Sequence, residues 1–246
     1  VSAVLVIGGT DSSGGAGLAR DLATLAHLRT RAVCAVTAVT AQSDRAVSAV
    51  HVVPVDMVRA QISAALATCA VAVIKIGMLA TRATVEAVAD SLPPRGRVPL
   101  VLDPVLASSS GATLLDAAGR SALRELLLAR ATILTPNIPE AAALLEQPPA
   151  LAEAELVSQG RALLALGAGA VLLKGGHASG PEATDLLLQS AAAPRRLSAP
   201  RLLVTRRGTG CTLASAIAAA LAAGCDVSEA CARAKQHVTQ RLQHGD

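Results

Sequence analysis

Short apolar runs rich in β-branched residues alternate along the chain with longer stretches in which leucine and alanine recur three and four positions apart. The first pattern suits strands buried on both faces and the second suits helices with one buried face, so the alternation predicts a parallel sheet covered by helices. Strands are predicted near 3–8, 32–39, 72–76, 98–103, 131–135 and 169–173, followed by a pair near 184–188 and 196–203. Helices are predicted near 15–28, 55–68, 82–91, 116–128, 138–145, 153–166, 211–223 and 227–242, several preceded by a Ser, Thr, Asp or Asn able to cap the first turn. The Pro-rich breaks from Leu92 to Pro99 and from Glu146 to Leu151 are short and no composition shift marks a boundary, so residues 1–246 are expected to form a single α/β domain. Ligands of such sheets bind at the carboxyl ends of the strands, which is where the unusual residues fall.

Composition narrows the function. The net charge is +4, but the basic residues are scattered in pairs such as Arg195-Arg196 and Arg206-Arg207, not the stripe that a nucleic acid needs. Five cysteines (Cys34, Cys69, Cys211, Cys225, Cys231) show neither a CxxC pair nor metal-ligand spacing, which fits a reducing compartment. The apolar run from Val1 to Ile7 is too short for a signal peptide, and the longest one, Ala214 to Ala223, is far short of a membrane span. A cytoplasmic protein with no membrane or nucleic-acid partner is the expectation. Phe, Tyr and Trp are absent, Asn occurs once (Asn137), and Lys three times (Lys75, Lys174, Lys235) against nineteen Arg. A surface Lys or Asn would be exchanged at little cost, so these survivors carry extra weight.

Several strand ends carry candidate chemistry. The loop Gly8-Gly9-Thr10-Asp11-Ser12-Ser13-Gly14-Gly15-Ala16-Gly17 permits close backbone approach and supplies hydroxyls and the Asp11 carboxylate to a polar ligand. It is not GxGxxG, since Arg20 replaces the third glycine, and no GxxxxGK[ST] occurs, so neither a Rossmann dinucleotide site nor a Walker loop is expected. The segment Thr205-Arg206-Arg207-Gly208-Thr209-Gly210-Cys211-Thr212 opens a helix whose first N–H groups suit a transferring phosphoryl group. Cys211 at the positive end of that helix is expected to have a lowered thiol pKa and to take a proton from an attacking hydroxyl; the alternative is a small buried residue like the other four cysteines. Asn137 and Glu140 are either a capping box or a pair that orders water around Mg2+ and phosphate. Lys174, ahead of Gly175-Gly176-His177, is a point charge for nucleotide phosphates or a lysine leaving the core, with His177 read as loop structure. Gln42 offers the donor and acceptor that match a pyrimidine's ring nitrogen and amino group, and Met78 can lie against a flat ring; a turn Gln and a core Met are equally open readings. Asp103 ends its strand as a carboxylate on the same face or as a turn signal.

Taken in order, GGTDSSGGAG (8–17), TAVTAQ (37–42), IKIGM (74–78), VLDPV (101–105), TPNIPE (135–140), LLKGGH (172–177), GTGCT (208–212) and AKQHVT (234–239) closely resemble the bacterial hydroxymethylpyrimidine/phosphomethylpyrimidine kinases of thiamine biosynthesis. The resemblance implies a three-layer α/β/α ribokinase-like fold with a mostly parallel sheet, ATP and Mg2+ as cosubstrates, and a homodimer. It implies a pyrimidine pocket lined by Gln42, Met78 and Val105 with Gly9 and Asp21 nearby, and a Mg2+ and phosphate site organised through water by Asn137 and Glu140. Lys174 and Thr212 would then bind ATP phosphates, Gly208, Thr209 and Gly210 would form the anion hole, and Cys211 would stand where the wider group carries an Asp base. The implied reaction is phosphorylation of a hydroxymethylpyrimidine and then of its monophosphate. A pyridoxal or pyridoxine kinase, or a non-catalytic pyrimidine binder, are the alternatives. Three departures stand out: Arg207 replaces the family's usual His, the chain ends soon after the helix containing Lys235, which bears on closure of the ATP site, and no Phe, Tyr or Trp is present to stack on a ring.

Overall fold

The computed structural model describes residues 2–175, 180–204 and 206–244. Gly176, His177 and Thr205, which belong to two of the candidate segments, lie outside them.

Strands β1 (Ala3–Gly8), β2 (Ala32–Val36), β5 (Val71–Ile76), β6 (Leu100–Leu102), β7 (Ile133–Leu134) and β8 (Ala170–Leu173) run parallel, and β9 (Glu182–Gln189) and β10 (Arg195–Pro200) close one edge antiparallel. Their order is β10-β9-β8-β7-β6-β5-β1-β2. Every residue of β1 is buried, which explains its unbroken apolar run. Alternate side chains split between two cores. Leu5 and Ile7 join the core under α2 (Val55–Thr68), α3 (Arg82–Ser91), α4 (Ala117–Ala122), α5 (Ile138–Leu145) and α6 (Glu153–Ala165). Val4 and Val6 join the core under α1 (Gly17–His27), α7 (Thr209–Ala222) and α8 (Val227–His244). The result is the expected three layers. Among the described residues no helix is long and apolar enough to cross a membrane.

The alanine-rich stretch in α7 finds its reason here. Thr212 to Ala220 are all buried, because α7 packs between α1, α8 and the sheet, as a helix apolar on every face does, and its many alanines let those neighbours approach closely. The chain leaves β1 for β2 on one side and returns to β5 on the other. The crevice outside the carboxyl ends of β1 and β5 is therefore the topological switch point, where sheets of this class bind ligands.

One expectation needs correction. The strand predicted over 32–39 ends at Val36, and a separate two-stranded sheet follows, β3 (Ala38–Gln42) paired antiparallel with β4 (Val47–Val52). β4 has no burial pattern to betray it, since its residues are exposed or half-buried. The hairpin leans on the Gly-rich loop: Thr10 N donates to Ala38 O (2.9 Å), Thr40 Oγ1 to Thr10 O (2.8 Å), and Ser12 Oγ both donates to Gln42 O and accepts from Gln42 N (2.8 Å each).

Candidate active site

The site begins with backbone. Gly208 caps α7 with φ 72°, a left-handed conformation, and a Cβ there would strike the Gly15 carbonyl oxygen, so only glycine brings the two loops together. The first turn of α7 then presents its N–H groups at the carboxyl end of the sheet. Gly210 faces the charged groups there, since a Cβ on it would lie 3.3 Å from Lys174 Nζ and 3.8 Å from Asp103 Oδ2.

Lys174 is the centre of this end. Its Nζ lies 2.8 Å from Asp103 Oδ1 and 3.7 Å from Glu140 Oε2, and its backbone N donates to Pro136 O (2.9 Å), next to Asn137. Asp103 also accepts from Thr135 Oγ1 (3.1 Å). Burial alone would raise the Asp103 carboxyl, but the ammonium groups of Lys174 and Lys75 hold it below the usual range. Burial raises the Glu140 carboxyl, with Asp103 adding to the effect against Lys174. Asn137 and Glu140 form a full capping box: Asn137 Oδ1 accepts from Glu140 N and Glu140 Oε2 from Asn137 N, both at 2.8 Å.

At the other end, a Cβ on Gly9 would come within 2.8 Å of Met78 Sδ. Met78 packs with Ala38 and Leu114 in a small apolar cluster that also takes in Val105 and Val47. Gln42 ends β3 beside it, its Oε1 3.2 Å from Thr40 Oγ1. An apolar patch with one amide at its margin suits a flat heterocycle carrying polar edges.

A family model described as phosphomethylpyrimidine kinase matches residues 11–246. The hydroxymethylpyrimidine/phosphomethylpyrimidine kinases of Escherichia coli and Rhizobium meliloti are 40% and 42% identical to the chain over 243 residues each, covering 98% of it and 91% of each relative. The chain belongs to the phosphomethylpyrimidine kinase family. Among solved structures, phosphomethylpyrimidine kinase from Clostridium difficile superposes with a TM-score of 0.86 at 33% identity, covering 98% of this chain and 100% of that one. The ADP complex of Bacillus subtilis pyridoxal kinase superposes with a TM-score of 0.90 at 29% identity, covering 99% and 92%. The fold is ribokinase-like, as these neighbours share it.

The phosphomethylpyrimidine kinase scaffold gathers most of the expected residues and relocates three. Gly208, Thr209, Gly210 and Cys211 open α7, with Lys174, Asn137 and Glu140 beside them, while Gly9, Met78 and Val105 meet in the apolar patch. Asp21, expected beside the pyrimidine, is instead sealed at 1% exposure, with both carboxylate oxygens 2.9 Å from Lys75 Nζ and Oδ1 accepting from Ser215 Oγ at 2.8 Å. Asp11, read as a ligand group, is instead engaged by protein groups, accepting from Ser13 N and Oγ and from Ala16 N in its own loop and from Arg207 Nη2 ahead of α7. Thr212 is fully buried, and its Oγ1 has no hydrogen-bond partner in the described structure. Strand-end position marks Asp103 and scarcity marks Lys75, but no local signal pairs them with Lys174 and Asp21.

Cys211 reverses its expectation. Burial pushes its thiol up to about 11, and the carboxylates of Asp21 and Asp103 add to this against Lys75 and the Gly17 amide. The helix terminus is outweighed by desolvation and two carboxylates, so the sulfur is a thiol at neutral pH. Alkylation of Cys211 by iodoacetamide, followed by peptide mass spectrometry, should therefore accelerate by about tenfold per pH unit from pH 7 to 10. A plateau near pH 8 would restore a low-pKa thiolate.

Among the described residues no group of three or more His, Cys, Asp or Glu side chains could cage a metal. Glu140 and Asn137, one turn apart at the start of α5, form a sparse oxygen set, the kind that suits Mg2+, which keeps most of its waters and takes phosphate oxygens.

Proposed function

We propose that the chain is an ATP-dependent kinase that phosphorylates the hydroxymethyl group of 4-amino-5-hydroxymethyl-2-methylpyrimidine and then its monophosphate, serving thiamine biosynthesis. The observation that carries this is the pairing of a cation and helix terminus at one end of the crevice with an apolar, amide-edged patch at the other, in a chain 40–42% identical to kinases of that name.

In this reading the substrate hydroxyl oxygen (in the second step, a phosphate oxygen of the monophosphate) attacks the γ-phosphorus, the bond to the β–γ bridging oxygen breaks, ADP leaves with the electron pair, and the hydroxyl proton passes to a transferred phosphoryl oxygen or to solvent water. The Gly208, Thr209 and Gly210 turn receives the transferring phosphoryl oxygens on backbone N–H groups, and Lys174 neutralises charge on the ATP phosphates. Asn137 and Glu140 would hold Mg2+ through water, one Glu140 oxygen and the Asn137 carbonyl being engaged in the capping box. Mg2+ held there would supply charge neutralisation to the phosphates. Gln42, Met78, Val105 and Gly9 position the ring. Cys211, a thiol at neutral pH, shapes the anion hole instead of serving as a strong base, and positioning with charge stabilisation carries the rate. A homodimer in the cytoplasm completes the reading.

Pyridoxal kinase is the second reading, favoured by the TM-score of 0.90 with the Bacillus subtilis enzyme. ADP release measured with hydroxymethylpyrimidine, its monophosphate and pyridoxal as separate acceptors decides between them. Turnover of both pyrimidines with little on pyridoxal is expected; turnover of pyridoxal without the monophosphate would reverse the assignment.

A further inference from the structure

Arg207 reaches two other segments at once. Its Nη2 lies 2.9 Å from Asp11 Oδ2, and its Nη1 donates to Ser13 Oγ at 2.7 Å and lies 3.2 Å from Asp44 Oδ1. Asp11 organises the Gly-rich loop through Ser13 and Ala16, and Asp44 sits in the turn between β3 and β4, two residues beyond Gln42. Arg207 itself directly precedes Gly208, the cap of α7. One side chain therefore ties the start of the anion hole to the loop after β1 and to the hairpin that carries Gln42. A guanidinium has five donors in a rigid fork and a permanent charge, which a bridge to two carboxylates and a hydroxyl requires; an imidazole has two nitrogens and is largely neutral at pH 7.

We propose that Arg207 is a positioning residue for the pyrimidine end of the site, acting through Asp11 and Asp44 to hold the Gly-rich loop and the β3–β4 hairpin in register with α7. It rests on the reading of Gln42 as the residue that meets the ring. The two contacts differ in weight. Asp11 is buried and Arg207 nearly so, whereas the Asp44 side chain is 84% exposed, so the second contact is screened and weaker. The hairpin is also zipped to the Gly-rich loop by Ser12 and Thr40, so loss of Arg207 loosens a supported element instead of unfolding it.

Amide hydrogen exchange on the full chain without any ligand tests the tie independently of activity. In Arg207→Ala the amides of the hairpin and of the Gly-rich loop should exchange about tenfold faster, in Arg207→Lys by less, and in Asp44→Asn by about threefold within the hairpin alone, the scale of an exposed ion pair. The same variants should raise KM for the pyrimidine alcohol more than KM for ATP, and the double variant should show less than the product of the single effects, because both lose one contact. Parent-like hairpin exchange in Arg207→Ala would overturn the proposal, as would a KM effect confined to ATP. Should Arg207→Ala fail to fold, the exposed Asp44→Asn variant decides the matter by the same exchange readout. A parent enzyme that ignores the pyrimidine would sink the functional reading while leaving the exchange result intact, so the two failures are distinguishable.

Discussion

Replacing Lys174 with methionine is expected to cut ATP-dependent turnover by roughly two to three orders of magnitude, the loss seen when a preorganised charge-stabilising group is removed from an active site. Its ammonium is the cation beside the first turn of α7, 2.8 Å from Asp103 and within reach of Gly210. Without it, Asp103 and Glu140 would confront each other and any incoming phosphate with like charge. Asp103 would lose the strongest attraction that holds its carboxyl low, and Glu140, already raised by burial, would rise further. Steady-state ADP release measures the loss, and calorimetry should find pyrimidine binding retained, since Met78 and Val105 lie in the other cluster with Gly9 against Met78. Lys174→Arg should recover only part of the rate, because a planar fork does not reproduce a compact point charge. Turnover within threefold of the parent would remove Lys174 from the phosphoryl end.

What was legible in the sequence was local. The helices predicted over 55–68, 82–91 and 138–145 begin and end where expected. Apolar periodicity and nearby capping chemistry sufficed there: Thr81 accepts from Thr84 N, and Asn137 with Glu140 closes a capping box. The antiparallel edge of β9 and β10 was also visible as a pair of runs. The hairpin partner β4 was not, because its side chains stay near the surface and a strand without a buried face leaves no alternation to read. Long-range charge pairing was equally hidden. Lys174 meets Asp103 across 71 positions and Lys75 meets Asp21 across 54. Scarcity singled out both lysines, yet nothing local encoded their partners. The same blindness reversed Cys211: the helix terminus lies next to it in sequence, whereas Asp21 and Asp103 are supplied by distant segments.

The Lys75 and Asp21 pair sets up the second large effect, on stability. Both side chains are 1% exposed, and Ser215 closes the network from α7, so the ion pair and this hydrogen bond join α1, β5 and α7 close to Cys211. Burial works against the Lys75 ammonium, but Asp21, then Cys211 and Asp103, hold its pKa well above the ordinary lysine value. Removing one partner strands a buried charge, so Lys75→Met is expected to lose about 3–5 kcal/mol and to melt roughly 10 °C lower. The deficit should depend on pH in a definite direction. Burial already lifts the Asp21 carboxyl above its ordinary value, and without Lys75 nothing of comparable strength opposes it. A raised folded-state pKa contributes stability fully present below the unfolded value, about 4, and lost as the pH rises through the folded one. The deficit of Lys75→Met relative to the parent should thus be smaller at pH 5 than at pH 8. Asp21→Asn combined with Lys75→Met removes the stranded charge, so it should recover part of the loss and flatten its pH dependence. Melting curves at the two pH values test this: equal deficits, or a Lys75→Met variant that melts with the parent, would show that the pair does not support the three elements it joins.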